Sequence, residues 1–464
     1  MDYRTEHDLL GEKRIPSDTY WGIHTERARE NFTISRYQLL PVFIRAYALV
    51  KKAAVAANHE LGYLPDGHAR ALDEACDDII HGKISFDVLP LDALQGGAGT
   101  STNMNLNEVI ANRALEIIGK PKGMYEVIHP LEHVNLHQST NDTFPTALRV
   151  ACIQQLRILS DTTARLQGVF QQKEKAFAAI VTISRTELQE AVPVTLGSMF
   201  AAWAEAVGRD RWRTFKCEER LRVVNLGGTA VGTGLCAPRN YIFLVIEKLR
   251  EMTGYGLSRG ENMMGETTNA DAFVEVSGIL KAQATTLIKI ATDLRLLALE
   301  KKIVLPAVQA GSSIMPGKVN PVMLEAVIQG GMKVCSNDLL LADAVSRGTL
   351  QINEFLPLIA HSILESLELL INATVLFAAQ VENVAADCAV CEKRFNESET
   401  LITAFVPHIG YERATQLVRE FHAEKHENMR AFLEEKLGKA LVEKTLSPHA
   451  LMALGYRENI SREE

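Results

Sequence analysis

Residues Asp271–Leu299 read DAFVEVSGILKAQATTLIKIATDLRLLAL. The segment has no proline, and Leu280, Leu287 and Leu294 fall on one heptad line, with Ile290 and Leu297 on its neighbour. A seam with this 3.5-residue period belongs to helices that lie side by side. At 1.5 Å per residue such a helix would run ~44 Å, longer than a small domain is wide. The segment therefore predicts a helical bundle. Its apolar positions exceed one narrow stripe, which predicts that the bundle also packs against other subunits.

Working outward, proline is also absent from 146–192, 239–305 and 358–406. In the first of these, Leu156, Leu159, Thr163, Leu166 and Phe170 alternate spacings of three and four, again a helical face. Strand signals are few, so the predicted class is mainly α. The expected division is an N-terminal helical region (1–140), a central long-helix bundle (141–390) and a small C-terminal helical region (391–464).

The 464 residues are 47% apolar and 23% charged, ordinary for a globular chain and unlike disordered or fibrous ones. A net charge of −8 gives no general pull toward nucleic acid or an anionic membrane. An anionic substrate would need a local positive cluster. The N-terminus is charged from Asp2 with no apolar signal core, and no apolar run reaches the ~18–20 residues of a membrane span. Seven scattered cysteines argue against a disulfide framework, and the Cys388–Cys391 pair reads as buried thiols. A reducing cytoplasm is the simplest compartment.

Four polar islands interrupt the helices: QGGAGTSTNMN (95–105), HQSTNDTFPT (137–146), SRTELQEAVP (184–193) and GSSIMPGKVNP (311–321). Hydroxyls, amides and helix-end N–H groups suit a small anion, because they donate to oxygen without bulk. Thr100, Ser101, Ser139, Thr140 and Asn141 lie where helix N-caps are expected; simple caps and turns are the plain alternative. In 311–321, glycines loosen the backbone and prolines stop the helix. Lys318 and Asn320 make a sensible carboxylate clamp, while Ser312 and Ser313 have no nearby histidine to form a hydrolase triad. NLGGTAVGTGL (225–235) lacks the GKS or GKT ending of a phosphate loop and reads as a tight turn between helices. The thirteen histidines are dispersed, and His129, His133 and His137 are interrupted by Pro130, so no metal site or cofactor is indicated.

GSSIMPGKVNP resembles the signature loop of the fumarase/aspartase superfamily, whose members release fumarate by elimination across a C–C bond. The similarity runs from DLLGEKRIPSDTYWGIHTERARENF to SETLITAFVPHIGY. QGGAGTS, YWGIHT and QSTND are similar to the aspartate ammonia-lyase branch; GKVNP and His129-Pro130 are closer to fumarase style. The resemblance implies a three-domain, homotetrameric fold with a long-helix core and active sites assembled from three subunits. By motif, Ser312 would be the general base. Lys318, Asn320 and Thr186 would hold one carboxylate, and Thr100, Ser139 and Thr140 the other, with Asn141 near the leaving group. Ser101 and Ser313 join these as candidate substrate contacts. The chain departs from the family pattern at Glu187, where histidine or glutamine is usual, at Leu136, where lysine is usual, and in a short 297–309 segment. Glu187, with the family glutamate at Glu325, would place two carboxylates near the leaving group and favour an amine. The expected activity is elimination of ammonia from L-aspartate or an N-substituted aspartate. A fumarate hydratase and an inactive helical oligomer remain the alternatives.

Overall fold

The computed structural model describes residues 2–456, so 457–464 of the expected C-terminal region lie outside it. An antiparallel hairpin, β1 (Tyr3–Asp8) and β2 (Gly11–Pro16), precedes helices α1 (Ile23–Asn31), α2 (Pro41–Glu60), α3 (Asp66–Ile80) and α4 (Thr100–Ile117). Helix α5 (Thr140–Ala176) then leads into a second hairpin, β3 (Val181–Thr186) and β4 (Gln189–Thr195). After it come α6 (Leu196–Cys217), α7 (Arg239–Thr253), α8 (Met263–Thr268), α9 (Asp271–Leu299), α10 (Val322–Ser346) and α11 (Leu356–Glu382). Short helices follow among the described residues, beginning with α12 (Cys388–Glu397). The class is mainly α, as expected, and among the described residues every sheet is a two-stranded pair.

Helix α9 has the predicted bounds, and Leu280, Leu287, Ile290, Leu294 and Leu297 are all buried. So are Leu156, Leu159, Thr163, Leu166 and Phe170 on α5. The compact parts interleave along the sequence. One unit comprises Met1–Ser160, Trp212–Ala284 and Met332–Ile371; the other comprises Asp161–Arg211, Thr285–Gly331 and Asn372–Glu464. In the first, Phe43, Tyr47 and Phe144 pack edge to face at the base of α2 and α5. In the second, Phe170 meets Phe200, Trp203 and Phe377, and Phe395, Leu401, Phe405, Leu417 and Phe432 build a further core around Ile183.

Two expectations need correction. Helix α11 is long and apolar enough to cross a membrane by length and composition, with a mean hydropathy of 1.5 over its best window. Glu365 and Glu368 break the apolar run in sequence. Just over half of the window (56%) is buried, with Ile359, Ile363, Leu367 and Phe377 in the core. In the cysteine pair, Cys391 is buried, its Sγ donating to Lys302 O, whereas Cys388 is exposed at the start of α12. Large apolar side chains also stand exposed on the long helices: Trp212 and Phe215 on α6, Leu299 on α9, Met332 and Leu339 on α10.

Candidate active site

In the first unit, Gly97, Ala98 and Gly99 take consecutive left-handed backbone angles (φ +76°, +54° and +92°). That coil delivers Thr100 as the first residue of α4, with its Oγ1 donating to Gly97 O at 2.8 Å. Gly99 is required by space as well as by φ: a Cβ there would lie 2.3 Å from the Phe144 ring. Helix α4 has no hydroxyl N-cap; Gln95 serves instead, its Oε1 accepting Thr102 N at 3.0 Å and Thr102 Oγ1 at 2.9 Å. Thr100 is exposed and Ser101 half-buried.

Helix α5 starts with a capping box. Ser139 Oγ accepts Asn141 N at 3.2 Å, and Asp142 Oδ1 accepts Ser139 N at 3.0 Å. The other oxygen of Asp142 accepts Gly227 N and Thr229 N at 3.1 and 3.0 Å, tying the glycine-rich loop to the start of the helix. Burial pushes the Asp142 carboxyl up to about 6, against these backbone donors and the charge of Lys51. The loop also grips Asn141 from both sides: Asn141 Nδ2 donates to Ala230 O at 2.7 Å, and Asn225 Nδ2 donates to Asn141 O at 3.0 Å. Pro145, inside α5, has no N–H for the Asn141 carbonyl four residues earlier, so that oxygen is free to accept Asn225. The segment 225–235 is thus more than a turn.

These two islands are brought together. Asn103, in the first turns of α4, donates Nδ2 to Thr140 Oγ1 at 3.0 Å and to Asn135 Oδ1 at 3.1 Å. Thr140 is buried, while Ser139 and Asn141 are half-buried.

In the second unit, the 184–193 island is the β3–β4 hairpin rather than a helix end. Its turn is Glu187-Leu188, both left-handed (φ +51° and +65°), the geometry of a type I′ turn that normally takes Asn-Gly. Thr186, Glu187 and Leu188 are exposed. Arg185 braces the turn: Nη1 donates to Leu188 O at 3.0 Å, and Nε donates to Glu300. Burial pushes the Glu300 carboxyl up, but Lys302 at 3.0 Å and Arg185 outweigh it and hold it below the usual carboxylate value.

The 311–321 loop folds on itself and feeds into α10. Gly311 N donates to Lys318 O at 2.8 Å, and Asn320 Nδ2 donates to Gly311 O at 2.7 Å, closing the base. A Cβ at Gly311 would meet Lys318 O at 2.7 Å. At the tip, Ser312 Oγ accepts Met315 N at 2.9 Å and Ile314 N at 3.2 Å. Ser313 and Lys318 are exposed, and Asn320 lines an open cleft of about 740 Å³ with Arg295, Leu299 and Asp387. Among the described residues, no hydrogen bond or ion pair joins Thr186 or Glu187 to this loop.

A family model described as Lyase matches residues 11–336, most of the chain. The chain belongs to the fumarase/aspartase superfamily of lyases. An aspartate ammonia-lyase of Bacillus sp is 44% identical over 428 residues, covering 90% of this chain and 91% of the relative. The aspartate ammonia-lyase of Escherichia coli K12 is 40% identical over 464 residues, 98% and 97% of the two chains. A solved fumarate lyase:delta crystallin from Brucella melitensis superposes with a TM-score of 0.92 at 43% identity, over 97% of this chain and 100% of that one.

The family glutamate and the departure at Leu136 take definite positions. Glu325, in the first turn of α10, pairs with Arg295 at 3.5 Å. Leu136 contributes its carbonyl, which accepts Asn58 Nδ2 at 3.1 Å, while the cation serving this segment, Lys51, comes from α2. The three histidines noted in the sequence are otherwise engaged. His129 Nδ1 accepts Leu131 N, His133 Nδ1 accepts His129 N, and His137 meets Asn58. Sequence reasoning missed Lys51, Asn103, Asn135, Asp142 and Asn225. Buried polar residues clustered on otherwise apolar helices, such as Asn103, Asn105, Asn107 and Glu108 in α4, were the available signal.

Proposed function

We propose that the chain is an aspartate ammonia-lyase, eliminating ammonia from L-aspartate, or an amine from an N-substituted aspartate, to give fumarate. The observation that carries the mechanism is the pair of backbone N–H groups on Ser312 Oγ. A serine hydroxyl is a poor base; two N–H donors aimed at its oxygen favour the alkoxide that the reaction requires. Ser312 takes a proton from the carbon beside one carboxylate, and the electron pair moves onto that carboxylate as a dianionic aci form. The pair then returns to form the C=C bond while the C–N bond breaks, and the amine departs with its electron pair. The elimination is redox-neutral, so it calls for no redox cofactor.

Lys318, Asn320 and Thr186, with Ser313 alongside, bind the carboxylate that gathers charge; Thr100, Ser101, Ser139 and Thr140 bind the other. Asn141 supports the leaving-group role: its Nδ2 is spent on Ala230 O, which turns Oδ1 toward an ammonium donor. Glu187 supplies a carboxylate for the same cationic group. The working assembly is a homotetramer with each site drawn from three subunits, a reading supported by the exposed apolar residues of α6, α9 and α10. The seven free thiols are in keeping with a cytoplasmic enzyme.

One assay tests the reading. Purified protein is incubated with aspartate and, separately, with malate, and the ultraviolet absorbance of fumarate is followed. Fumarate from aspartate is expected. Fumarate from malate alone would make the chain a hydratase, and silence with both aspartate and its N-substituted forms would favour a non-catalytic oligomer.

A further inference from the structure

A lysine that touches none of the candidate substrate contacts lies three hydrogen bonds from one of them, Thr140. Lys51, on α2, is fully buried. Its Nζ donates to Asn135 Oδ1 at 3.0 Å and to Gln138 Oε1 at 2.9 Å. Because the lysine meets both partners as a donor, the atom of Asn135 turned toward it is the oxygen. That oxygen also accepts Asn103 Nδ2 at 3.1 Å and Asn107 Nδ2 at 3.2 Å. Asn103 Nδ2 gives its other hydrogen to Thr140 Oγ1 at 3.0 Å. With its oxygen accepting from Asn103, Thr140 has its own O–H left to donate.

The reverse polarity is within reach of the same side chains. Asn103 Oδ1 and Asn107 Oδ1 are buried without partners. If the three amides turned over, Asn135 Nδ2 would donate to both of those oxygens, and Asn103 would face Thr140 with an oxygen. The Thr140 hydroxyl would then donate inward and offer a carboxylate only lone pairs. Asn135 Nδ2 bonds Gln138 O at 3.2 Å in the observed state, which favours it modestly. The larger bias is Lys51, which would oppose its own hydrogens to an NH2 group after a turnover. Burial pushes its pKa down to about 7, yet in either protonation state it keeps two N–H bonds for its two oxygens.

We propose that Lys51 is a positioning residue that sets the direction of this hydrogen-bond chain and so makes Thr140 an obligate donor to a substrate carboxylate. The proposal rests on the reading of Thr140 as a carboxylate contact, and it identifies the ligand group as an ionised carboxylate oxygen.

The test is a double-mutant cycle on the full-length protein, read by calorimetric binding of succinate, an unreactive dicarboxylate, and by aspartate turnover. Lys51→Met leaves Gln138 Oε1 without its donor and should lower stability, so its folding is confirmed by urea titration and binding is compared only where the variant is native. It should bind succinate about tenfold more weakly and raise KM more than it lowers kcat, as the loss of one directed hydrogen bond requires. Thr140→Val should lose at least as much, and the double variant should be no worse than Thr140→Val alone. Additive losses, or wild-type succinate affinity in Lys51→Met, would overturn the proposal. Asn103→Asp gives a second route, because its carboxylate faces Thr140 only as an acceptor; it should lose about tenfold or more in affinity, and unchanged binding would also overturn the idea. If the wild type binds succinate but makes no fumarate, the reaction proposed above falls while the cycle still decides the role of Lys51. Absence of succinate binding by the wild type overturns the carboxylate role of Thr140 and this proposal with it.

Discussion

Asn225 donates Nδ2 to the carbonyl of Asn141 at 3.0 Å, taking the bond that Pro145 cannot make within α5. A proline inside a helix ordinarily costs ~3 kcal/mol, partly through the lost hydrogen bond. Here the freed oxygen is used to hold the glycine-rich loop against the candidate leaving-group residue. Asn225 Nδ2 also donates to Thr267 Oγ1 at 2.9 Å, in a buried setting. Asn225→Leu therefore leaves two acceptors unpaired and should lower unfolding stability by roughly 2–4 kcal/mol, with turnover falling as the loop loosens. Urea titration beside the fumarate assay checks both; an unchanged midpoint would mean the loop is held by other contacts.

Gly99 approaches Phe144 too closely for any side chain and has φ +92°. Gly99→Ala is expected to cost about 2–4 kcal/mol through strain and overpacking. Phe144→Leu in the same background should return part of that loss by making room. If the second substitution brings only further destabilisation, the clash is not the cause.

Ser312 lies on a loop that contributes little to the core, being half-buried among exposed neighbours. Ser312→Ala should reduce turnover of aspartate by roughly 10²–10⁴-fold, the usual worth of a positioned general base. Its melting temperature should match the wild type. Near-normal activity would remove Ser312 from the base role.

Glu300 gives a pH dependence with a definite sign. Lys302 and Arg185 together outweigh the effect of burial and hold its folded-state value below the ordinary 4.5. Its stabilisation is therefore complete above about pH 4.5 and disappears as pH falls through the lower folded-state value. Glu300→Gln should flatten this part of the acid limb, measured by denaturant melts from pH 6 downward. The same variant releases Arg185 from its anchor and should increase hydrogen exchange at the 187–188 turn. An acid limb as steep as in the wild type would show that other carboxylates control it.

The 187–188 turn separates stability from selectivity. Leu188→Gly relieves a left-handed leucine and should stabilise by about 1 kcal/mol. Glu187→Gln keeps the turn but removes the charge, and should shift preference among aspartates bearing different N-substituents. A profile identical to the wild type would exclude Glu187 from leaving-group recognition.

The long helices were legible in the sequence because a seam of leucines seven apart demands a partner along its whole length. Helix α9 ends where that seam ends. The serine loop was legible because glycine and proline punctuate it. The β3–β4 hairpin was not, since its turn is Glu-Leu where the geometry favours Asn-Gly, and its strands are short. The start of α5 was legible in Ser139, Thr140 and Asn141, which fall where an N-cap is expected, but not what makes Pro145 acceptable just inside the helix: the side chain of Asn225, far along the chain. The polar layer of Lys51, Asn103 and Asn135 was hidden for a related reason. Each is unremarkable in its own helix or turn, and their meaning lies in hydrogen bonds that join residues 28 to 87 positions apart.

Neither compact unit is a continuous stretch of chain, and this governs the order in which the protein can be made. The first unit needs Met332–Ile371 to complete it, and the second needs the stretch beginning at Asn372. A growing chain therefore carries α5 and α9 with apolar faces uncovered for most of synthesis, until α10 and α11 emerge. Closure of either core therefore waits on contacts between segments far apart in sequence, which raises the loop-closure cost of folding and leaves apolar faces open to association in the meantime.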